Sequence, residues 1–358
     1  MRPAERQTRS HLMRTFEERG FHPRSDLGQN FLIDLNLLEF VVRQAELQPD
    51  DVVLEIGTGT GGMTTYLASQ AGHVVSVEVD HRVHALAQQA TEGYSNITLL
   101  NCDALKNKNR FQPAVVEAVQ TALQELPSRS LKLVANLPYC IATPVVTNLI
   151  ASDLPWTRMV ITIQWELAER MRAEPNTNDY GALSIWLQSQ AEVKTLKKLG
   201  PTVFWPRPRV DSAVVLLVRD PVRQAELGDR RFFQDFLRRL FHLRRKALRN
   251  VLSGMYRKQL NKAELDGVLQ PFGFPNGQRA DTLSVAQLIA LSKSVHAALI
   301  ATGHAPSGGS SDEEAIESDD SGPGEDLDST DDRQSAGEDA SARAADPLDA
   351  CDESSSEA

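Results

Sequence analysis

The feature that most constrains the fold is a glycine-rich run directly after a short apolar segment. Residues 51–56 are typical of a buried strand, and Gly57-Thr58-Gly59-Thr60-Gly61-Gly62 follows at once. Glycines let the backbone turn sharply and approach a ligand without a side-chain clash. A helical pattern starts at Met63, so the run leads into a helix N-terminus, which carries partial positive charge. The pattern predicts a strand, a ligand-binding turn and a helix.

Strand-like and helix-like segments alternate along the first two thirds of the chain. The predicted strands lie at residues 51–56, 73–79, 97–100, 131–135, 158–164, 193–199 and 213–219, and the predicted helices at residues 37–47, 63–71, 83–90 and 113–126. Such alternation indicates a mostly parallel, doubly wound sheet with helices on its faces. We therefore predict an α/β fold of the Rossmann-like type.

Changes in composition divide the chain into four predicted regions. We expect a flexible, irregular N-terminal arm at residues 1–25, an α/β domain at 26–220, a small all-helical domain at 221–301 and an acidic tail at 302–358. Within the helical domain, residues 231–254 have the pattern of one long helix rich in Arg and Phe. The tail has few large apolar side chains to offset the entropy of ordering, so we expect it to be disordered.

The formal net charge of −10 is unevenly distributed. From Ser307 onward the chain has 18 acidic and 2 basic residues; removing these from totals of 48 and 38 leaves 30 acidic and 36 basic residues. The part before the tail is therefore mildly basic, which permits a nucleic-acid partner. Cys102, Cys140 and Cys351 lack metal-ligand spacing, and no apolar run reaches the ~18 residues of a membrane span. We expect a cytoplasmic protein without a bound metal.

Two acidic residues suggest what the glycine turn binds. Glu78 ends the second predicted strand, 21 residues after Gly57, and Asp103 follows the third. A carboxylate at the first position can accept hydrogen bonds from both ribose hydroxyls, and one at the second can accept from an adenine amine. Glycine spacing alone also fits NAD, FAD or a plain tight turn, and acids also cap helices. The two acids together favour S-adenosylmethionine, which carries no phosphate.

The sequence Asn136-Leu137-Pro138-Tyr139, which ends another predicted strand, is suited to holding a planar amine. The side-chain oxygen of Asn136 and a backbone carbonyl at Leu137 or Pro138 can accept its two N–H groups, and Tyr139 offers a stacking face. An ordinary strand-to-turn junction is the simpler interpretation. Phe204 is the candidate for a second stacking ring; Trp205 could replace it, or both could be core residues.

These motifs resemble the rRNA adenine dimethyltransferase family, and most of all its bacterial small-subunit members. The matching segments are residues 28–34, 53–59, 136–139, 180–184, 206–215 and 244–250. The resemblance implies a class I S-adenosylmethionine-dependent methyltransferase domain, with cofactor contacts at Asn30, Leu32, Gly57, Glu78, Asp103 and Asn136. It also implies that Asn136, Leu137 and Pro138 hold the amine while Tyr139 and Phe204 enclose the base. Thr58 and Cys140 depart from the family pattern, which usually has Pro and Asn there.

The resemblance implies dimethylation of the N6 amines of two adjacent adenosines near the 3′ end of 16S rRNA, during maturation of the 30S subunit. The helical region would bind rRNA through a basic cluster consisting of Arg244, Arg245, Lys246 and Arg249. We expect a monomer. Three alternatives remain at this stage: a 23S rRNA adenine methyltransferase of the macrolide-resistance type, a non-catalytic ribosome assembly factor, and an NAD-dependent oxidoreductase, which would leave everything after residue 130 unexplained.

Overall fold

A seven-stranded sheet organises the protein. The computed structural model describes residues 9–24, 27–125 and 130–304, and the predicted disorder of residues 305–358 lies outside that part. The strands are, in chain order, β1 Phe31–Leu32, β2 Val52–Ile56, β3 His73–Glu78, β4 Ile97–Asn101, β5 Leu105–Asn107, β6 Arg110–Phe111, β7 Leu131–Asn136, β8 Trp156–Gln164, β9 Ala191–Leu199, β10 Phe204–Trp205 and β11 Ser212–Arg219.

The main sheet has the order β4-β3-β2-β7-β8-β11-β9. Its first five strands are parallel, whereas β11 runs antiparallel to both β8 and β9. All five residues of β2 are buried, because helices cover both faces of a parallel sheet. The carboxyl ends of β2, β3, β4 and β7 therefore lie along one edge. The predicted α/β, Rossmann-like architecture is confirmed.

Helices cover the sheet and continue beyond it. They are α1 Arg9–Glu18, α2 Leu35–Gln44, α3 Gly62–Ala68, α4 His81–Ala90, α5 Pro113–Glu125, α6 Ala142–Ala151, α7 Trp165–Arg172, α8 Ala182–Gln188, α9 Pro221–Ala225, α10 Arg230–Phe241, α11 Leu248–Tyr256, α12 Lys262–Leu269 and α13 Val285–Ala301. Among the described residues, no helix is long and apolar enough to cross a membrane.

The prediction of an irregular N-terminal arm is wrong for α1. Leu12 and Phe16 are buried on one face of this helix, and they are four residues apart, the spacing that places two side chains on one helical face. Phe16 packs edge-on against Phe31 and Trp205, with ring centroids 5.3 Å from each. Burial of these apolar side chains explains why a largely polar segment folds onto the domain. Residues 19–24 form no helix or strand, and residues 1–8 and 25 of the predicted arm lie outside the described residues.

The single long helix predicted for residues 231–254 is also wrong, because the structure has α10 and α11 separated by residues 242–247. Ala247 at the end of this break forms a β-bridge with Arg279. Arg244, within the break, donates hydrogen bonds to the carbonyl oxygens of Asn178 and Tyr180, at 2.9 and 3.2 Å. These tertiary contacts compete with helix continuation, and the periodicity of the sequence does not reveal them.

The C-terminal helices share one hydrophobic core with the sheet. This core includes residues of β2, β7 and β8 together with α8, α10, α11 and α13. Trp186 of α8 lies 6.3 Å from Phe233 of α10, measured between ring centroids. The buried hydroxyl of Tyr180 donates to the carbonyl of Leu283 at 2.9 Å. The boundary at residue 220, proposed from the sequence, therefore does not coincide with a break in the core.

Candidate active site

The carboxyl ends of the parallel strands surround a cavity of about 210 Å³. Of the site residues predicted from the sequence, its lining includes Asn30, Gly57, Glu78, Asp103, Asn136, Leu137, Pro138 and Tyr139. Leu32 lines a neighbouring cavity of about 60 Å³ that shares Gly57 and Asn136 with the first. The structure thus brings together the glycine turn, both strand-end acids and the Asn-Leu-Pro-Tyr sequence.

At Gly57 the glycine turn packs closely against the Asn-Leu-Pro-Tyr sequence. Its φ is +86°, a conformation that residues with a side chain rarely adopt. A Cβ atom at this position would lie 3.3 Å from Cδ of Pro138 and 3.4 Å from the carbonyl oxygen of Asn136. Only glycine allows the two segments to approach this closely without displacement.

Glu78 is oriented by backbone N–H groups at the end of β3. Gly59 donates to its Oε2 at 2.9 Å and Asp80 to its Oε1 at 3.0 Å. Only 6% of the residue is exposed, and this burial raises the pKa of its carboxyl, although the two hydrogen bonds act in the opposite direction. Each oxygen keeps a lone pair that can accept a further hydrogen bond from a ligand in the cavity.

Asp103 lies at the end of the neighbouring strand and is exposed. One of its carboxylate oxygens accepts a hydrogen bond from the N–H of Leu105 at 2.9 Å. Val79, which follows Glu78, also lines the cavity and is 47% exposed. An acceptor beside an apolar surface suits the edge and the face of a purine.

A hydrogen bond from its amide nitrogen fixes the orientation of the Asn136 side chain. Its Nδ2 donates to the carbonyl of Asn30 at 2.8 Å, and the Nδ2 of Asn30 donates to the carbonyl of Gly28 at 3.1 Å. The Oδ1 of Asn136 accepts no hydrogen bond from the described residues. This arrangement turns a free acceptor toward the cavity that Asn136 lines.

The two candidate carbonyls beside Asn136 differ in their surroundings. The carbonyl of Pro138 accepts a hydrogen bond from the N–H of Ile141 at 3.1 Å. The N–H of Leu137 donates to Thr162 of β8 at 3.1 Å, which fixes this residue against the neighbouring strand. Within the described structure the carbonyl of Leu137 has no donor, and it is therefore the better second acceptor for an amine.

Tyr139 begins a short 3₁₀ turn, Tyr139–Ile141, that leads into α6. Its ring is half-buried and lines the cavity. Its hydroxyl shares a hydrogen bond of 2.6 Å with the hydroxyl of Ser212, the first residue of β11. Burial raises the pKa of this phenol, so the hydroxyl stays protonated near neutral pH.

Known proteins resemble this chain over most of its length. The sequence model of the family described as ribosomal RNA adenine dimethylase matches residues 20–291. The chain belongs to this family. Proteins named ribosomal RNA small subunit methyltransferase A from Bacillus cytotoxicus and Bacillus mycoides are each 37% identical over 280 residues, which is 78% of this chain and 93% of theirs.

Solved structures show the same fold as this member of the family. A dimethyladenosine transferase from Plasmodium falciparum gives a TM-score of 0.61 at 24% identity and covers 75% of this chain and 97% of its own. The 23S rRNA methyltransferase ErmE gives 0.52 at 23% identity, with 74% and 99% covered. Family and fold are those of S-adenosylmethionine-dependent rRNA methyltransferases.

Phe204, the predicted second stacking ring, is buried in this structure. The residue is 1% exposed, pairs with Leu32 between β10 and β1, and packs in the core with Val214. It lines neither of the two cavities, and its contact with the base remains a prediction. Trp205, the alternative, is partly buried and stacks on Phe31 with ring centroids 6.2 Å apart.

Glu55 was assigned no role from the sequence, although only Ile56 separates it from the glycine turn. It is fully buried, and its Oε2 accepts hydrogen bonds from Ser76 at 2.6 Å and Thr64 at 2.7 Å. Its Oε1 has no partner among the described residues. Burial raises the pKa of this carboxyl to about 8. An acidic residue within an otherwise apolar strand is the sequence signal that could have identified Glu55.

The four predicted basic residues fall into two groups. Arg244 is occupied by the two carbonyls described above, and Arg249 forms a two-point ion pair with Asp266 at 2.6 and 2.8 Å. Arg245 and Lys246 are exposed and form no ion pair within the described structure. These two have charges free for phosphate. Among the described residues, no group of three His, Cys, Asp or Glu side chains is placed to hold a metal ion.

Proposed function

We propose that this protein transfers methyl groups from S-adenosylmethionine to the N6 amines of two adjacent adenosines near the 3′ end of 16S rRNA, during maturation of the small subunit. The observation that carries this proposal is the open Oδ1 of Asn136 beside the Leu137 carbonyl. Both residues line a cavity that the glycine turn and the strand-end acids also line.

The residues around the cavity fit the cofactor. Gly57 and Gly59 line the cavity and have positive φ angles, so the backbone reaches the cavity without a side chain that could block a ligand. In this proposal Glu78 accepts the ribose hydroxyls and Asp103 the adenine amine. Asn30 lines the same cavity and Leu32 lines the neighbouring one. When bound, S-adenosylmethionine supplies an electrophilic methyl group on a positively charged sulfur.

The protein's own contribution to the reaction is positioning. The lone pair of an adenine amine is delocalised into the ring, which makes the amine a weak nucleophile. When Asn136 Oδ1 and the Leu137 carbonyl each accept one N–H, they fix the amine and direct its lone pair into the cavity. Fixing two reactants in this way can supply much of the rate acceleration, and the proton lost from nitrogen can leave to water.

An adenine in a stacked helix cannot reach these acceptors, so the base must leave its stack. Tyr139 offers it a ring at the cavity wall, and stacking of this kind contributes about 1–3 kcal/mol per base. Phe204 could complete the enclosure only after a rearrangement that exposes its ring, since it is buried here.

The small-subunit assignment is supported by relatives that carry that name at 37% identity over most of both chains. The likeness to a 23S rRNA methyltransferase extends to the fold alone. We include in the proposal that the substrate is the immature 30S subunit, that the protein acts as a cytoplasmic monomer, and that residues 221–301 form the rRNA-binding domain. Arg245 and Lys246 support the last point because they are exposed and free of ion pairs.

The test uses purified protein, radiolabelled S-adenosylmethionine and small subunits from cells that lack this methylation, with modified nucleotides mapped by mass spectrometry. We expect dimethyladenosine at two adjacent positions near the 3′ end. Asn136→Ala should remove transfer, whereas Asn148→Ala should not, because Asn148 bonds a backbone carbonyl outside the cavity. In a parallel reaction with unmethylated large-subunit rRNA, label found only in 23S rRNA would select the resistance-type enzyme. Absent label despite cofactor binding would favour an assembly factor.

A further inference from the structure

Ser212 lies beside the proposed base-stacking residue but belongs to a different strand. It is fully buried at the start of β11 and faces Gln164 of β8 and Leu199 of β9 across the sheet. A residue paired on both sides within a sheet has little freedom to move. Its side-chain hydroxyl therefore provides a fixed point next to the cavity.

The ring of Tyr139 needs such a fixed point. It stands on a short 3₁₀ turn and is only half-buried, so packing alone leaves rotation about its side-chain bonds. The terminal torsion of tyrosine is broad and imposes little orientation by itself. The 2.6 Å hydrogen bond between its hydroxyl and the hydroxyl of Ser212 adds a second attachment at the far end of the ring.

The Asn-Leu-Pro-Tyr sequence is thereby anchored to β8 at two points, one direct and one through β11. Leu137 is attached to Thr162 through its N–H, and Tyr139 is attached to Ser212, which is paired with Gln164. The amine acceptors and the stacking ring consequently share one rigid frame. Their relative position determines whether a base can stack and present its amine at the same time.

We propose that Ser212 is a positioning residue for methyl transfer, which orients the ring of Tyr139 through the hydroxyl–hydroxyl hydrogen bond. This inference rests on the proposed function. It assigns a role to a residue of the 206–215 segment, whose match to the family carried no functional assignment for Ser212.

The experiment is a double-mutant cycle of Ser212→Ala and Tyr139→Phe in the full chain, measured as single-turnover methyl transfer to unmethylated small subunits. One neutral hydrogen bond corresponds to roughly a three- to tenfold change, so we expect each single variant to be slower by that factor. The double variant should be no slower than either single variant, because the same bond is lost in each. Affinity for S-adenosylmethionine, measured by calorimetry, should stay within about twofold.

Two controls separate positioning from a general structural effect. Ser189→Ala also removes a buried serine hydroxyl, one that bonds a backbone carbonyl at the end of α8, and it should show no coupling to Tyr139→Phe. Ser212→Thr keeps a hydroxyl and should restore most of the rate. Both results would support the proposal.

Losses that multiply in the double variant would overturn the inference and leave the proposed function intact. A wild-type rate in Tyr139→Phe would also overturn it, without any need for a folded Ser212→Ala protein. Absence of methyl transfer by the wild-type protein would overturn the proposed function and this inference together.

Discussion

Replacement of Gly57 by alanine tests whether the glycine turn and the Asn-Leu-Pro-Tyr sequence depend on each other. The left-handed backbone costs a residue with a Cβ about 1–2 kcal/mol, so part of the effect is simple strain. The added methyl group would also lie 3.3 Å from Pro138 Cδ and 3.4 Å from the Asn136 carbonyl. Carbon contacts are optimal at about 3.5–4.0 Å, and a proline ring and a backbone carbonyl cannot rotate away.

Gly93 provides the matched control. Its φ is +93°, close to that of Gly57, but a Cβ atom there would meet nothing within 4 Å. Gly93→Ala should therefore lower the free energy of unfolding by about 1–2 kcal/mol, measured by urea denaturation, and Gly57→Ala should lower it by at least as much. Only Gly57→Ala should displace Asn136, and we expect its single-turnover methyl transfer to fall at least about tenfold, since small misplacements are costly in a positioned reaction.

The comparison between the two glycines decides the outcome. A stability loss in both variants, at least as large in Gly57→Ala, with methyl transfer reduced only in Gly57→Ala would support contact between the two segments. If Gly57→Ala transferred methyl groups at the rate of Gly93→Ala, the close approach would have no bearing on catalysis, and the positioning argument would fail.

Three further predictions follow from the described side chains. Glu78→Ala should weaken S-adenosylmethionine binding by about 10- to 100-fold, and unchanged affinity by calorimetry would remove Glu78 from the site. Because the pKa of Glu55 is raised from 4.5 to about 8, the folded protein holds an extra proton between those pH values. The free energy of unfolding should therefore fall with rising pH by up to about 1.4 kcal/mol per unit more than in Glu55→Gln; parallel urea-denaturation curves from pH 5 to 8 would contradict this. Arg245→Ala should reduce the slope of log K against log salt for rRNA binding by about 1, whereas Arg249→Ala should change it less, and the reverse order would contradict the pairing of Arg249.

The sequence predicted the sheet well because its signals are local. The apolar run before Gly57 and the acids that end β3 and follow β4 are contiguous patterns, and parallel topology then brings them to one edge. Glu78 and Asn136 could accordingly be placed in one site before any distance was known. The catalytic and cofactor roles of the individual residues remain predictions.

Features that depend on distant contacts could not be predicted in this way. Phe204 was a candidate because it lies just before a matching segment, but its burial follows from pairing with β1, which no local pattern reveals. The break between α10 and α11 depends on the carbonyls that Arg244 reaches, far away in the chain. Arg249 matched the basic motif equally well, yet its charge is paired with Asp266 on another helix.

The shared core of the sheet and the C-terminal helices has a consequence for how the methylation site on an rRNA target would be selected. Since Trp186 and Phe233 pack within one interior, the exposed Arg245 and the Asn136 acceptor are held at a constant separation. If the C-terminal helices bind one point of the ribosome as proposed, that contact would determine which nucleotides lie at the cavity. Selectivity for a single pair of adenosines would follow from distance and from the flexibility of the RNA, without any reading of base sequence.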